Sequence, residues 1–214
     1  MTSISYLIQK ILMQHVDRET NIPEVILIGY VDNNVVEEHL ARYLIAQRFS
    51  RGIVLDIASG TGYGSSILAR AEKSIYVISV DINYDLLRYG AKVFNINGVQ
   101  ADALKLPFRD GALDTVVTLE TIEHLPDPIS FIKEISRVLK FDGLVVLSTP
   151  NKLYSSPFVK KPLNPYHIKE FYLGELEFVL KQGGLEPCYV LCGKPFTKLA
   201  LIRRVIGTMT KSNP

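Results

Sequence analysis

The 214-residue chain has only two cysteines, no apolar run long enough to cross a bilayer, and no marked excess of either charge. Each shortage excludes something. Cys188 and Cys192, read on one strand, share a face and lie about 13 Å apart at ~3.3 Å per residue. A disulfide needs Cα atoms within about 7 Å, so both are expected as buried thiols of a reducing compartment. A spanning helix needs about 18–20 consecutive apolar residues, and no run reaches that. The N-terminus has no early Lys/Arg cluster and no small-residue cleavage site, so no signal peptide is read and the expected location is cytoplasmic. Lys and Arg total 24 against 22 Asp and Glu, a net charge of +2; a dedicated nucleic-acid binder would be more basic, so no nucleic-acid partner is expected. No His/Cys/Asp/Glu spacing reads as a ligand set, and no metal is expected. Internal repeats, low-complexity stretches and a second domain are also missing.

What is present suits one α/β domain over residues 1–214. Apolar residues make up 47% of the chain, enough for a sizeable core. Ile4, Leu7, Ile8, Ile11 and Leu12 repeat at helical spacing. A second helix is predicted from Val35 to Phe49, with Glu37 and Glu38 in its first turn. Residues 1–50 thus form a helical cover. Strands and helices then alternate over 51–151, which implies a doubly wound, mostly parallel, Rossmann-like sheet of six to seven strands with helices on both faces. The strands are read at Gly52–Ile57, Ile75–Val80, Gly98–Ala101, Leu113–Leu119, Leu144–Ser148 and Leu185–Leu191. Helices are read at Ser65–Ala71, Tyr84–Asn95, from the Asp127–Pro128 start to about Lys140, and at Ile168–Lys181. Residues 152–214 supply acceptor-side and C-terminal elements.

The densest signal is Val54-Leu55-Asp56-Ile57-Ala58-Ser59-Gly60-Thr61-Gly62-Tyr63-Gly64. A buried strand ends in an acid, and glycines at alternate positions follow. They are expected to let the backbone approach a ligand where side chains would collide. A helix then presents its N–H groups. The Gly-Lys-Ser/Thr ending of a P-loop is absent. The dinucleotide fingerprint fails too, because its third glycine would fall at Ser65. Asp56 would repel a pyrophosphate and suit a ligand carrying a cation.

Here the chain resembles the class I S-adenosylmethionine-dependent methyltransferases, of the type that acts on small molecules, lipids and glycans. Their first motif is a hydrophobic strand, then Asp or Glu, then x-x-x-Gly-x-Gly-x-Gly. The resemblance covers roughly Gly52 to Asn151 well and implies S-adenosyl-L-methionine as cofactor. It assigns cofactor contacts to Asp56, Ala58, Ser59, Gly60, Gly62 and Tyr63. Ligands of doubly wound sheets bind at the carboxyl ends of the strands. Asp81, with Ile82, ends the second strand, where an acid can accept from both ribose hydroxyls. The segment Gln100–Phe108 resembles the family's third motif, with Asp102 accepting from the adenine amino group and the Ala103 backbone N–H reaching a ring nitrogen. Leu119-Glu120-Thr121-Ile122-Glu123-His124-Leu125-Pro126-Asp127-Pro128 resembles the segment beside the transferable methyl, which adds Glu120.

Methyl transfer from a sulfonium mainly needs alignment, worth on the order of 7–11 kcal/mol. A hydroxyl acceptor also needs its proton removed, typically worth about 10²–10⁴-fold. His124 and His167 are the candidate bases. Their bland readings are that His124 holds its own loop and that His167 caps the helix after it. The acceptor is expected to be a small molecule, a glycan or a lipid-linked compound, methylated at oxygen. A nucleic-acid or protein methyltransferase and a non-catalytic cofactor-binding subunit stay open as alternatives. The Asn/Asp-Pro-Pro-aromatic sequence of base-amino methylation is missing after the fourth strand. The stretch Lys194–Lys211 is basic and apolar without acids. It reads either as an amphipathic helix touching an anionic membrane surface or as a last element packed on the core.

Overall fold

The computed structural model of this chain describes residues 33–192 and 197–204. The expected helix around Ile4–Leu12 lies outside them. In chain order the elements are α1 (Asn33–Phe49), β1 (Gly52–Ile57), α2 (Tyr63–Leu68), β2 (Ser74–Asp81), α3 (Tyr84–Phe94), β3 (Asn97–Gln100) and β4 (Leu113–Leu119). A 3₁₀ turn (Ile122–His124), α4 (Pro128–Val138), β5 (Leu139–Pro150), α5 (Lys152–Ser155), α6 (Leu173–Gln182), β6 (Leu185–Cys192) and β7 (Thr197–Arg204) follow. They build one seven-stranded sheet in the order β3-β2-β1-β4-β5-β7-β6. Neighbours from β3 to β5 are parallel, and β7 runs antiparallel to both β5 and β6. This is the Rossmann-like architecture read from the sequence. The strand order reverses between β1 and β4, so the crevice lies above their carboxyl ends.

Successive strand residues point to opposite faces, and both faces are covered. Leu55, Val116 and Val145 join one core with Phe131, Ile132 and Ile135 of α4 and Leu180 of α6. Their neighbours Val54, Val117 and Val146 join another with Leu40, Tyr43 and Ala46 of α1 and Leu68 of α2. Burying each such side chain contributes roughly 1.5–3 kcal/mol. The helix starts are fixed locally. Asn83 caps α3 by accepting from Asp85 N (2.9 Å) and Leu86 N (3.3 Å). Asp127 caps α4 by accepting from Ser130 N at 2.9 Å, with Pro128 in the first turn.

Several expectations need correction. α1 begins before Val35, so Glu37 and Glu38 fall in its second turn, where Glu38 lies 3.6 Å from Arg42. α4 stops at Val138 because Leu139 already pairs with Leu113. α6 starts at Leu173 rather than Ile168, because the N–H groups of Ile168 and Lys169 bond to the carbonyl of Glu123 at 2.8 and 3.1 Å. Cys188 is exposed, not buried: it lies on the edge strand β6, beside a register break between Pro187 and Tyr189. The tail does not form a membrane-lying helix over residues 197–204. It is the strand β7, filling the gap between β5 and β6. Among the described residues, no helix is long and apolar enough to cross a membrane.

Candidate active site

The loop after β1 crosses the switch point in a left-handed backbone: Ala58, Gly60 and Gly62 have φ of 56°, 56° and 75°. The Ser59 N–H bonds to the carbonyl of Val80, and the Gly62 N–H to that of Ser59. The three glycines do different work. A Cβ on Gly60 would meet nothing within 4 Å, so its backbone faces open space. A Cβ on Gly62 would lie 2.4 Å from Ile96 Cδ1, and one on Gly64 2.0 Å from the Tyr43 ring. Only Gly60 therefore fits the expected approach to a ligand; the other two glycines permit packing. Tyr63 likewise faces the core, edge-on to Tyr43 with ring centroids 5.5 Å apart.

Asp56 is placed differently from expectation. Its carboxylate is fully buried behind the loop. It accepts from Ser65 Oγ at 2.6 Å and from Tyr43 Oη at 3.2 and 3.3 Å. Ser79 Oγ donates in turn to Ser65 Oγ at 2.7 Å. Burial pushes the Asp56 carboxyl up to about 7, although the Ser65 and Tyr43 bonds pull the other way. Asp56 is thus a positioning residue for the strand–helix junction. Asp81 is the acid that reaches the loop: its Oδ2 accepts from Gly60 N at 2.8 Å and its Oδ1 from Asn83 N at 2.8 Å. A carboxylate has about four lone-pair sites, so two remain for a ligand. Ile82 beside it is exposed. Asp102 is exposed and accepts from Leu104 N at 2.8 Å, while Ala103 packs partly against the core.

A second cluster forms at the carboxyl end of β4. Glu120 has φ 52° and accepts from Ser148 Oγ at 2.7 Å, with Arg42 Nε 3.5 Å away. Burial raises its carboxyl against the pull of Arg42. Glu123 is completely buried. Its Oε2 accepts from Thr149 Oγ1 at 2.8 Å, and its Oε1 has no hydrogen-bond partner among the described residues. Burial, and then the neighbouring Glu120 charge, push this carboxyl well above the usual range.

The two candidate histidines meet here. Their rings stand edge to face with centroids 5.0 Å apart. His124 Nδ1 lies 3.1 Å from the carbonyl of Tyr166, which as an acceptor requires Nδ1–H. His167 Nδ1 lies 2.7 Å from Glu170 Oε1, and its Nε2 3.0 Å from Asn164 Nδ2. Asn164 Oδ1 accepts from Tyr166 N, which fixes the amide's orientation. Burial pushes Glu170 up, but bonds from Ser155, Ser156 and His167 outweigh it and hold the carboxyl low. His167 therefore does not cap α6, whose N-cap is Tyr172. The sequence reading missed Tyr43, Glu170 and the role of Glu123. Glu123 stood within a quoted motif and Glu170 three residues after a candidate base, whereas no local spacing signalled Tyr43.

Residues 55–147 match the methyltransferase domain family. A probable S-adenosylmethionine-dependent methyltransferase of Mycobacterium tuberculosis is 30% identical over 164 residues, covering 76% of this chain and 59% of that protein. The chain thus spans about three fifths of that relative's length. A fatty-acid O-methyltransferase of Mycolicibacterium smegmatis is 33% identical over 107 residues, 49% of this chain and 39% of its own. A crystal structure of an S-adenosylmethionine-dependent methyltransferase from Aquifex aeolicus shares the fold with a TM-score of 0.61, at 19% identity, over 79% of this chain and 89% of that one. The open backbone at Gly60 and the unspent acceptor positions of Asp81 fit the cofactor of these enzymes. Residues 55–147 are thus a domain of the class I S-adenosylmethionine-dependent methyltransferase family.

Proposed function

We propose that this chain transfers the methyl group of S-adenosylmethionine to an oxygen of a small-molecule, glycan or lipid-linked acceptor. The carrying observation is the order of groups along the carboxyl edge of the sheet. Gly60, Asp81, Asp102 and Glu120 stand at the ends of β1, β2, β3 and β4, on both sides of the switch point. Asp81 would hold the ribose hydroxyls, Asp102 and the Ala103 N–H the adenine, and the Ala58–Gly60 backbone the methionine end. The bound cofactor would supply an electrophilic methyl on a sulfonium whose leaving group is neutral.

The oxygen acceptor is favoured by the cluster beside Glu120. His124 and His167 sit where segment 164–170 folds back onto the turn after β4. Imidazoles are suited to drawing a proton from a hydroxyl near neutral pH. The fatty-acid O-methyltransferase among the relatives supports a hydroxyl or carboxylate oxygen. The segment 152–172, which carries exposed Leu153, Tyr154, Phe158, Leu163, Tyr166 and Ile168, would offer an apolar acceptor its contact surface.

Calorimetry with S-adenosylmethionine, its demethylated product and NAD tests the first half. Binding of NAD alone would overturn it. Transfer of labelled methyl to a panel of fatty acids, hydroxylated lipids and glycans tests the second half. Cofactor binding without transfer to any of them, or to a cell extract, would favour the non-catalytic alternative.

A further inference from the structure

Glu123, His124 and His167 offer three donor atoms that all lie within 4.8 Å of one another. Sequence spacing gave no hint of this, because the contact that brings His124 to the 164–170 segment, with Tyr166, joins residues 42 positions apart. We propose that these three side chains form a binding site for a divalent transition-metal ion at the acceptor end of the crevice. Its use in catalysis rests on the oxygen-methylation reading; its existence does not.

Three independent features support the site. The first is Glu123 Oε1, a fully buried carboxylate oxygen with no hydrogen-bond partner among the described residues. It faces His124 Nε2 at 4.0 Å, too far for a direct bond. Such an atom is costly unless a proton or a cation satisfies it. Its partner oxygen is pinned by Thr149, so the unpaired one is fixed in direction.

The second is the state of the two rings. Metal-bound histidines almost always donate their other N–H to a carbonyl or carboxylate, which fixes tautomer and orientation. His124 meets the Tyr166 carbonyl through Nδ1, and His167 meets the Glu170 carboxylate through Nδ1. In the neutral rings both therefore turn Nε2 toward the cluster. Glu170 is itself fixed by a hydrogen bond from Ser155 Oγ to its other oxygen.

The third is the chemistry and spacing of the set. Two imidazoles and one carboxylate suit zinc and the neighbouring transition ions, and leave coordination positions open. Bonds of about 2.0–2.2 Å to an ion place ligand atoms roughly 3–3.5 Å apart, so the cluster needs to close by about 1 Å. Asn164 Nδ2, now 3.0 Å from His167 Nε2, would give up that contact to the ion, which also strains the bond that its Oδ1 accepts from Tyr166 N. The open position would take the acceptor oxygen. The ion would lower that hydroxyl's pKa so that its proton passes to solvent water; with the ion bound, the histidines would hold it in place of acting as the base.

The test uses the full chain after chelator dialysis. Zn²⁺ and Mn²⁺ are titrated by calorimetry, and Co²⁺ by its visible absorption. Saturable binding of one ion per chain is expected, with a Co²⁺ spectrum of mixed nitrogen and oxygen ligation. Glu123→Gln keeps the volume and the Thr149 contact, and His124→Gln changes a partly exposed ring. Each is expected to weaken binding by at least tenfold while S-adenosylmethionine still binds. No saturable binding to wild type, or equal binding by both variants, overturns the site. Loss of cofactor binding in wild type would instead overturn the methyltransferase reading and leave the ion titration standing. Full turnover by ion-free enzyme would overturn the catalytic use of the ion.

Discussion

Gly64→Ala is expected to damage the fold, whereas Gly60→Ala damages cofactor binding, although both alter one glycine-rich turn. The added Cβ at Gly64 would stand 2.0 Å from Tyr43 Cζ and 2.3 Å from Cε1 and Cε2. The ring cannot yield cheaply. It is buried, lies edge-on to Tyr63, and its hydroxyl reaches both oxygens of Asp56. Overpacking typically costs about 1–3 kcal/mol, and losing a hydrogen bond to a charged group about 1.5–3 kcal/mol. Alanine's better helix propensity returns ~1 kcal/mol. The net destabilisation is about 1.5–5 kcal/mol, read as a lower urea midpoint at unchanged slope. At Gly60 the space is open, and only the left-handed φ of 56° is strained, costing about 1–2 kcal/mol. Its Cβ would occupy ligand space, so calorimetry should show affinity falling more than stability does. In a Tyr43→Leu background the Gly64→Ala penalty should largely vanish, because the two changes act through one contact. If Gly64→Ala is as stable as wild type, or Gly60→Ala binds S-adenosylmethionine normally, the division of labour is wrong.

Asp56→Asn should change the pH dependence of stability. The folded carboxyl titrates near 7 because it is buried, so between about pH 4 and 7 the native state binds more protons than the unfolded chain, and stability falls as pH rises. At ~1.36 kcal/mol per unit the variant should gain on wild type by up to about 4 kcal/mol by pH 8, and by little at pH 4; parallel urea curves at both pH values would refute this. His39, which burial lowers to about 3, works in the opposite sense over pH 3 to 6.5, and is common to both proteins. Asp81→Ala should weaken S-adenosylmethionine binding by about 1.5–3 kcal/mol by calorimetry, and normal binding would remove the ribose assignment.

The sequence located elements and missed approaches between them. The place of Asp81 at the crevice was legible because it follows from position at a strand end, and its partner Gly60 lies in the adjoining loop. Asp56 was legible as part of a motif but not in its surroundings. Tyr43, which helps bury it, belongs to a helix whose docking no local pattern encodes. Segment 164–170 shows the same limit. Its apolar spacing merges with that of α6, yet its backbone N–H groups are spent on the Glu123 carbonyl. That tertiary bond overrides helix propensity and carries His167 to His124. The tail was ambiguous because β7 lies between two strands, so it shows no clean alternation to distinguish it from an amphipathic helix.

One helix ties the two sides of the crevice together. Arg42 and Tyr43 are consecutive on α1, and they meet acids from different strands. Tyr43 donates to Asp56 in β1, while Arg42 lies 3.5 Å from Glu120 just after β4. These strands flank the switch point. Beside it, two non-glycine residues, Ala58 and Glu120, hold left-handed backbone angles of 56° and 52°. Such angles cost of order 1–3 kcal/mol each and persist only where the surroundings enforce them. The enforcement at Glu120 is visible: its N–H bonds to the Ser148 carbonyl, Ser148 Oγ bonds to its side chain, and Arg42 draws the same oxygen. At Ala58 it comes through neighbours, from Asp56 beneath and from the Ser59 N–H bonded to Val80. α1 thus helps to hold both strained loops at the crevice, as well as shielding the sheet. A shift of α1 would disturb the loop after β1 and Glu120 after β4 together.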